Sequence, residues 1–439
     1  MKTICLVSLG CAKNLVDSEM ILGMFRAGQY RFTSRPQEAD LIIVNTCGFI
    51  EDAKREAIDT ILEMSQYPAK LLAVGCFVER NLDELKAEMP EVDEWIPIRD
   101  YKKLHEAIDR LIGADDVAPI NPLQRVISTG DYAAYLRISD GCNNFCAFCA
   151  IPYIRGIMHS RPFDEIIEEA KLLKEQGIKE IAIVSQDPMH YGCDFKGRKP
   201  DMLDLMKALD EMGFYSIRLL YLYPEEITEE ELRFIKDSKS IAHYFDVPIQ
   251  CASDHLLKAM RRHGTKEDMR QLFHRIRELM PEAILRTTLI SGFPGETEED
   301  QKETLEFLEE IQFDKLGDFV YSREEGTAAY SYPDQIDTKV AKRRHDEIMR
   351  LQRKISFARN KTQIGKVMEG LVTGYDRQQG KYTLRSYWNA PDDVDGTIYF
   401  ESDISLKEGD IVRVRITDAL VYDLVGVNEE KLPNFEFQY

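Results

Sequence analysis

The stretch that decides how the middle of this chain folds is Gly141-Cys142-Asn143-Asn144-Phe145-Cys146-Ala147-Phe148-Cys149. It follows a run at 135–139 that is typical of a β-strand, and its three cysteines are separated by three and then by two residues. Three thiolates at this spacing can hold three irons of a cubic iron–sulfur cluster, whereas most cluster loops supply four cysteines. The stretch therefore predicts a 4Fe-4S site at Cys142, Cys146 and Cys149 whose fourth iron is open to a ligand.

A closed zinc site is the alternative for the same three cysteines. Zinc accepts four sulfur or nitrogen ligands at similar spacings, and His159 lies ten residues after Cys149. The aromatic residues Phe145 and Phe148 favour the cluster, because they would shield it from water. They suit zinc less well, and the cluster is the preferred interpretation.

Upstream of this stretch, short apolar runs alternate with helical patterns. The runs at 3–8, 41–46 and 71–75 predict strands, and the patterns at 16–27 and 53–66 predict helices. Together they indicate a parallel sheet covered by helices, and the predicted fold class is α/β.

Each of these three strands ends close to a cysteine, at Cys11, Cys47 and Cys76. Ligands bind beyond the carboxyl ends of parallel strands, so we expect the three thiols to converge in space. A single free cysteine is more often a small buried apolar residue, but three at equivalent positions are better explained by a site. The sequence therefore predicts a second three-cysteine cluster.

Strand–helix alternation resumes after a linker at 113–131 and continues about six times. The predicted strands lie at 135–139, 180–184, 217–222, 244–247, 284–290 and 319–321. This pattern predicts a barrel or partial barrel of βα units, whose chemistry lies at the carboxyl ends of its strands.

The last part of the chain changes to short strands separated by turns. After a charged helical connector at 340–359, strands are predicted at 367–373, 381–384, 397–400, 411–417 and 420–427. Five short strands indicate a small β-barrel of the oligonucleotide-binding type.

Two loops at predicted strand ends are candidates for contact with a cofactor. The loop at 291–296 offers Gly292, Pro294 and Gly295, and its glycines allow a ligand to approach the backbone closely. The second loop offers Ser185 and Gln186, which can hydrogen-bond to a polar cofactor group. A simple turn leading into a proline is an equal alternative for the second loop.

Arg155 follows Cys149 closely and can pair with a carboxylate, but a solvated surface arginine is the simpler interpretation. Inert thiols are predicted for the remaining cysteines, which are Cys5, Cys193 and Cys251. No histidine–carboxylate pair in the sequence is convincing as a catalytic group, so no catalytic side chain is assigned.

Composition limits the class of protein. The chain has 439 residues, enough for two or three domains, and it has no apolar run of the roughly 18 residues that a membrane helix needs. Nine cysteines without a secretory leader favour metal or redox chemistry over disulfides. The formal net charge of −20 disfavours a broad nucleic-acid surface and favours a basic partner. We therefore expect a cytoplasmic protein.

The order of these parts resembles the radical S-adenosylmethionine methylthiotransferase family over nearly the whole chain. The resemblance implies an amino-terminal domain at 1–118 and a radical core at 128–358 that forms a (βα)6 partial TIM barrel. It also implies a TRAM domain, a small β-barrel resembling the oligonucleotide-binding fold, at 360–428. The TRAM domain would engage a macromolecular substrate.

The resemblance further implies two 4Fe-4S clusters. An auxiliary cluster would be held by Cys11, Cys47 and Cys76, and Cys142, Cys146 and Cys149 would hold the cluster that binds S-adenosylmethionine at its open iron. The candidate contacts of S-adenosylmethionine are then Ser185, Gln186, Gly292, Pro294 and Gly295.

Four motifs resemble the branch of the family that modifies an aspartate of small-subunit ribosomal protein twelve. They are Ser8-Leu9-Gly10-Cys11-Ala12-Lys13-Asn14-Leu15-Val16-Asp17-Ser18-Glu19, Asn45-Thr46-Cys47-Gly48-Phe49-Ile50, and the stretches 321–327 and 389–396. The alternative is the branch that modifies an adenosine of transfer RNA. Residues 361–439 contain 9 Lys plus Arg against 14 Asp plus Glu, which suits a basic ribosomal protein better than RNA. One departure is Cys251, where the family pattern leads us to expect histidine.

The resemblance implies that S-adenosylmethionine is both methyl donor and radical source, and that a methylthio group replaces hydrogen on the aspartate β-carbon. The implied partners are small-subunit ribosomal protein twelve, free or in the assembled ribosome, and an electron donor such as flavodoxin or ferredoxin. A hypothesis of another class is a zinc-dependent adaptor that binds ribosomes through the β-barrel without catalysing a reaction. Zinc without iron would favour that adaptor.

Overall fold

Four main sheets, of which the last is closed into a barrel, follow one another along the chain in the computed structural model, which describes residues 1–113, 117–197, 200–391 and 394–429. The predicted linker at 113–131 and the predicted motif at 389–396 each contain residues outside this described part, at 114–116 and 392–393. The α/β fold class predicted from the sequence is confirmed by the parallel sheets and the helices that alternate with their strands.

The amino-terminal domain is a five-stranded parallel sheet of order β2-β1-β3-β4-β5. Its elements are β1 (Lys2–Ser8), α1 (Ala12–Leu22), β2 (Tyr30–Phe32), β3 (Leu41–Thr46), α2 (Glu51–Met64), β4 (Lys70–Gly75), α3 (Cys76–Glu88), β5 (Glu94–Pro97) and α4 (Leu104–Ile112). Every residue of β3 is buried, as expected for a central strand covered on both faces.

Three features of this domain differ from the predictions. The edge strands β2 and β5 are only three and four residues long, too short for a clear apolar pattern. The first helix, α1, begins at Ala12 and so starts earlier than the predicted range 16–27. Cys11 therefore occupies the position just before the helix, and Lys13 lies in its first turn.

The central domain begins with β6 (Ala133–Arg137), β7 (Ser139–Asp140), α5 (Ile151–Ile154), β8 (His159–Ser160), α6 (Phe163–Glu175), β9 (Glu180–Val184), α7 (Met202–Glu211) and β10 (Ser216–Leu219). It continues with α8 (Glu229–Asp237), β11 (Tyr244–Asp246), α9 (Asp254–Ala259), α10 (Lys266–Leu279), β12 (Ile284–Ser291), α11 (Glu298–Ile311) and β13 (Lys315–Val320). The six main strands form two parallel sheets, β6-β9-β10 and β11-β12-β13.

The two halves of the central domain are joined through the backbone. The Leu222 amide donates to the Asp246 carbonyl at 2.8 Å, and Ile217 forms a parallel bridge with Ile241. The six strands therefore make one open arc, in agreement with the partial barrel expected from the sequence. The sixth strand was predicted at 319–321 but begins at Lys315, because its buried polar residues Lys315 and Asp318 obscure the apolar pattern.

The last helix, α12 (Thr338–Lys361), connects the arc to a closed barrel and crosses the predicted domain limit between 358 and 360. The barrel strands are β14 (Val367–Asp376), β15 (Lys381–Ser386), β16 (Ile398–Glu401), β17 (Ile411–Ala419) and β18 (Leu424–Asn428), in the order β14-β15-β16-β18-β17. The strand predicted at 420–427 starts only at Leu424, since Leu420 and Asp423 close a turn with a 2.8 Å backbone hydrogen bond. The predicted small β-barrel is confirmed.

Among the helices that the structure describes, none combines the length and the apolar character required to cross a lipid bilayer.

Candidate active site

Three cysteines from distant parts of the chain meet at the carboxyl edge of the amino-terminal sheet. Cys11 precedes α1, Cys47 follows β3, and Cys76 is the first residue of α3. Because β1, β3 and β4 are parallel neighbours, their ends bring these three loops together. Gly10 has φ +87°, and an added Cβ there would lie 2.7 Å from the Cys47 Cβ. Glycine is therefore required for the two loops to come this close.

Two buried asparagines tie these loops to each other. Asn14 Nδ2 donates to the carbonyl of Leu9 at 2.7 Å and to the carbonyl of Thr46 at 3.2 Å. Asn45 Nδ2 donates in return to the Asn14 carbonyl at 2.8 Å. Both residues lie within motifs of the sequence but were given no structural role, although an asparagine directly after the apolar run at 41–44 was a usable signal for Asn45.

The second triad lies on a single loop after β6 and β7. The Cys142 amide donates to the Gly156 carbonyl at 3.2 Å, and the Cys149 amide donates to the Cys146 carbonyl at 3.0 Å. Gly141 has φ +75°, and an added Cβ there would lie 2.2 Å from the Ile157 carbonyl oxygen. The loop is thus held by its own backbone and by the segment that follows it.

Both triads line the same cavity, which has a volume of about 350 Å³. Its wall includes aromatic side chains, among them Phe145, Phe148, Tyr221 and Tyr223. Its described lining contains three cationic side chains and no carboxylate, the cations being Lys13, Arg155 and Arg262. The cavity therefore combines six thiols with a positive, partly aromatic wall.

A larger cleft, of about 800 Å³, opens between the central arc and the carboxyl-terminal barrel. Its described lining includes Glu180, Arg218 and Arg385 but no cysteine. We therefore assign the candidate site to the smaller cavity, because its described lining contains six thiols that can bind a metal and that of the larger cleft contains none.

The thiols fit a metal centre better than they fit free cysteines. Burial raises the pKa of Cys142 to about 11 and the pKa values of Cys76 and Cys149 to about 12. These thiols are therefore neutral near neutral pH unless a metal stabilises the thiolates. An all-sulfur donor set suits an iron–sulfur cluster. The cavity also contains Gln186 Oε1, a buried acceptor without a hydrogen-bond partner in the described part of the chain, which fits a polar cofactor group.

Arg155 is a buried link between the two triads, so the interpretation of a solvated surface arginine is wrong. Its side chain is 1% exposed. Nη2 lies 2.7 Å from Asp17 Oδ2 on α1, and Nη1 lies 3.1 Å from Asp140 Oδ2 in the strand before the cysteine loop. Nη2 also lies 3.5 Å from Cys76 Sγ. One guanidinium thus contacts both halves of the site.

The five residues predicted to contact the cofactor are not all in one place. Gln186 lines the cavity, and its Nε2 donates to Asp140 Oδ1 at 3.2 Å. Ser185 is buried next to it, but its hydroxyl lies 2.5 Å from the hydroxyl of Ser139.

The glycine-rich loop after β12 forms its own internal contacts. The Gly292 amide donates to Glu296 Oε2 at 2.6 Å, and the Gly295 amide donates to the Asp334 carbonyl at 3.0 Å. Gly292, Pro294 and Gly295 are not among the described residues that line the cavity. Their contact with S-adenosylmethionine stays a prediction.

The structure adds a tyrosine that the sequence reasoning did not single out. Tyr223 Oη lies 2.8 Å from Cys146 Sγ, and the guanidinium of Arg262 stacks 3.8 Å from the centre of the Tyr223 ring. No local pattern marked Tyr223, because its partner lies in a distant part of the chain.

A polar cluster of Asp187, His190 and Glu226 contacts the cysteine loop through Asn144. Asp187 Oδ2 accepts from Asn144 Nδ2 at 2.7 Å and lies 2.7 Å from His190 Nδ1, which is also 3.0 Å from Glu226 Oε2. The hydrogen bonds to Asp187 and Glu226 raise the pKa of His190 to about 10. Asp187 follows Ser185 and Gln186 directly, so the sequence contained a partial signal for this cluster.

The proposed zinc ligand and the other cysteines stay apart from the site. The His159 side chain is 84% exposed and lies 3.6 Å from Asp194, and it is not among the described residues that line the cavity. The other free thiols are likewise absent from that described lining, namely Cys5, Cys193 and Cys251. A closed site of three cysteines and His159 is therefore not supported by the structure.

Three families match successive parts of the chain. The "Uncharacterized protein family UPF0004" matches residues 3–97, the "Radical SAM superfamily" matches residues 136–308, and the "TRAM domain" matches residues 364–428. The match in the middle includes Cys142, Cys146 and Cys149, which agrees with an iron–sulfur cluster and S-adenosylmethionine as cofactors.

Relatives called "Ribosomal protein uS12 methylthiotransferase RimO" are similar over nearly the full chain. The relative from Aquifex aeolicus (strain VF5) is 44% identical over 434 residues, which cover 97% of each chain. The relative from Clostridium tetani (strain Massachusetts / E88) is 45% identical over 434 residues, which cover 96% of this chain and 97% of its own. The relative from Clostridioides difficile (strain 630) is 43% identical over 441 residues, which cover 97% of this chain and 98% of its own.

Among solved structures, the radical S-adenosylmethionine methyltransferase TsrM from Kitasatospora setae is similar in fold. Its structure with cobalamin and a 4Fe-4S cluster aligns with a TM-score of 0.55 and 14% identity, over 75% of this chain and 74% of that chain. A second structure of TsrM, with tryptophan and a cofactor analogue, aligns with a TM-score of 0.52. At this identity the likeness concerns the fold alone.

Proposed function

We propose a function from the family to which this chain belongs, the ribosomal protein uS12 methylthiotransferases. The chain is an enzyme that attaches a methylthio group to uS12, the small-subunit ribosomal protein twelve. The group replaces hydrogen on the β-carbon of an aspartate, with S-adenosylmethionine as methyl donor and radical source. The relatives are matched over nearly their full length, which supports carrying over the whole activity.

The observation that carries this proposal is that the two cysteine triads line one cavity. Insertion of sulfur into a carbon–hydrogen bond requires that hydrogen removal and sulfur delivery act on the same carbon. A cavity that is lined by both triads meets this requirement, because a single substrate side chain inside it can reach both triads.

The proposed cofactors are two 4Fe-4S clusters and S-adenosylmethionine. Cys142, Cys146 and Cys149 would hold the cluster that binds S-adenosylmethionine, and Cys11, Cys47 and Cys76 would hold an auxiliary cluster. When bound, these groups supply the electron, the hydrogen-abstracting radical and the methylthio unit. The unpartnered Gln186 Oε1 would accept a hydrogen bond from the cofactor, and the predicted contacts at Ser185, Gly292, Pro294 and Gly295 are retained as candidates.

The side chains of this enzyme enclose and align the site. Phe145, Phe148 and Tyr221 in the cavity wall would exclude water from a reactive carbon centre. Arg155 pairs with Asp17 of the first domain and with Asp140 before the cysteine loop, so it holds the two triads in a fixed relation. Alignment of this kind lowers the barrier, since the reacting groups are positioned before the reaction starts.

The choice of uS12 over transfer RNA is supported by charge. The last 79 residues, 361–439, carry five more acidic than basic side chains, from 14 Asp plus Glu against 9 Lys plus Arg. An acidic barrel suits a basic ribosomal protein and repels the phosphate backbone of RNA. The function also requires the compartment in which ribosomes assemble, the cytoplasm, and an electron donor such as flavodoxin or ferredoxin.

The proposal is tested by deleting the gene and comparing masses of ribosomal proteins and transfer RNA with those of the parent strain. We expect uS12 alone to lose about 46 daltons, the difference between hydrogen and a methylthio group in a cofactor-driven transfer. A plasmid copy of the gene should restore this mass. Loss of the increment from transfer RNA, with uS12 unchanged, would assign the enzyme to the other branch.

A further inference from the structure

Lys13 is a buried cation in the wall of the cavity that the triads share. It lies two residues after Cys11, in the first turn of α1, and it is 9% exposed. Its Nζ lies 3.6 Å from the centre of the Tyr221 ring, and it donates to the Ser185 carbonyl at 3.4 Å. These are neutral partners, and the position near a helix amino terminus is unfavourable for a positive charge.

The other two cations of the cavity wall are already paired with acidic side chains. Arg155 is paired with Asp17 and Asp140, and Arg262 lies 3.8 Å from Glu225. Lys13, in contrast, has no carboxylate of the described residues within ion-pair distance.

The nearby acids are occupied by arginines. Asp140 pairs with Arg155, and Asp246 accepts from Arg286 Nη1 at 2.6 Å. A buried charge without a paired counter-charge is costly, so Lys13 calls for an anionic group in this cavity, either the sulfur of a cluster or the carboxylate of a ligand, and the experiment below separates the two.

Lys13 also links the parts of the chain that carry the two triads. It follows Cys11 in the amino-terminal domain, its Nζ reaches the Ser185 carbonyl of the central domain, and it lines the cavity together with all six cysteines. A substrate carbon that both triads serve must lie in this same space. In an aspartate side chain the carboxylate is bonded directly to the β-carbon, so it must lie there too.

We propose that Lys13 binds the side-chain carboxylate of the substrate aspartate and thereby selects aspartate and presents its β-carbon to the triads. This inference rests on the proposed function. Lys13 is then a substrate-binding, specificity-determining residue.

A carboxylate in this cavity has two sources, the aspartate of the substrate and the methionine part of S-adenosylmethionine. The experiment must separate them. It uses the reconstituted full-length enzyme, a uS12 peptide that spans the modified aspartate, and the same peptide with asparagine at that position. Peptide affinities are measured anaerobically by fluorescence anisotropy, and the affinity for S-adenosylmethionine is measured by calorimetry.

We expect the wild-type enzyme to bind the aspartate peptide about 10- to 100-fold more tightly than the asparagine peptide, as for a hydrogen bond between charged groups. Lys13→Met should abolish this preference, so that the two changes are not additive, while Lys13→Arg should restore part of it. The affinity for S-adenosylmethionine and the iron content should stay unchanged in Lys13→Met.

The chain offers a matched control in Lys315. This lysine is also buried, lies 3.1 Å from the centre of the Trp388 ring and donates to the Asp395 carbonyl at 2.6 Å, but it is not among the described residues that line the cavity. Lys315→Met should keep the preference for aspartate, which separates loss of a buried lysine from loss of the cavity cation.

Three results would overturn the inference. In the first, the preference for aspartate is absent in the wild type or survives in Lys13→Met. In the second, Lys13→Met weakens the binding of S-adenosylmethionine instead, which assigns Lys13 to the cofactor. In the third, Lys13→Met loses iron, which makes Lys13 a counter-ion of a cluster. Failure of the proposed function is recognised separately, because the wild-type enzyme would then add no methylthio group to either the peptide or whole uS12.

Discussion

The two cysteine triads reach one cavity by different routes. Cys142, Cys146 and Cys149 lie on one loop that is closed by its own backbone hydrogen bonds. Cys11, Cys47 and Cys76 come from the ends of three strands and meet only because β1, β3 and β4 are parallel neighbours. The first triad is a local motif, whereas the second exists only when the sheet has folded.

The contacts of their sulfur atoms differ as well. Cys146 Sγ lies 2.8 Å from the phenol of Tyr223, on which Arg262 stacks, whereas Cys76 Sγ lies 3.5 Å from the guanidinium of Arg155 itself. Contacts to ligand sulfur tune a cluster, so the two sites should not be interchangeable. The predictions below test this division between them.

The largest effect is expected from removal of the local motif. Cys142→Ala, Cys146→Ala and Cys149→Ala together should lower the iron of the reconstituted protein from about eight to about four per chain, the content of one 4Fe-4S cluster. Cleavage of S-adenosylmethionine, measured as 5′-deoxyadenosine by chromatography, should disappear. Cys193→Ala, which removes an exposed thiol outside the described lining of the cavity, is the control and should change neither value.

Removal of Cys11, Cys47 and Cys76 should stop methylthiolation but leave the cleavage of S-adenosylmethionine, whereas the first variant loses both activities. Cys11→Ala, Cys47→Ala and Cys76→Ala should also halve the iron, but 5′-deoxyadenosine should still form because the local motif is intact. Methylthiolated uS12, measured by mass spectrometry, should be absent. If this variant still methylthiolated its substrate, the proposal of an essential auxiliary cluster would be wrong.

The same division explains what could be predicted from the sequence. Strand β3 was predicted to the residue, because its six consecutive buried positions form an uninterrupted run. The meeting of Cys11, Cys47 and Cys76 followed from a general rule for parallel sheets. Arg155 was misjudged, because its partners Asp17 and Asp140 come from other parts of the chain and leave no local pattern.

Two candidate cofactor loops show the same limit at shorter range. The hydroxyl of Ser185 is directed to Ser139, and the Gly292 amide is bonded to Glu296. Both loops follow a strand, as predicted. The direction of each side chain or amide, however, depends on contacts with other parts of the chain that the apolar pattern does not encode.

Loss of the link between the triads should have an intermediate effect. Arg155→Met removes one of the two arginines that Asp17 and Asp140 share, and Arg137 stays beside both carboxylates, so the loss of stability should lie near the lower end of the about 3–5 kcal/mol that breaking a buried ion pair costs. We expect an earlier urea transition, reported by the fluorescence of Trp95, which is buried in β5 of the amino-terminal domain.

The control for this variant is Arg275→Met. Arg275 forms an exposed pair with Glu229 at 2.6 Å, and a pair of this kind contributes little to stability. An Arg155→Met protein as stable as the Arg275→Met protein would contradict the role of Arg155 as a link between domains.

The smallest expected effect is a change in potential at the local motif alone. Tyr223→Phe removes a hydroxyl 2.8 Å from Cys146 Sγ, and a hydrogen bond to ligand sulfur favours the reduced, more negative cluster. A net hydrogen-bond energy of about 0.5–1.5 kcal/mol corresponds to a decrease of roughly 20–60 mV for one electron. Electron paramagnetic resonance during a redox titration measures it, in the background without Cys11, Cys47 and Cys76. Tyr221→Phe is the matched control, because its ring lines the same cavity but faces Lys13. An unchanged potential in Tyr223→Phe, or an equal shift in Tyr221→Phe, would contradict a specific role of the Tyr223 hydroxyl at this triad.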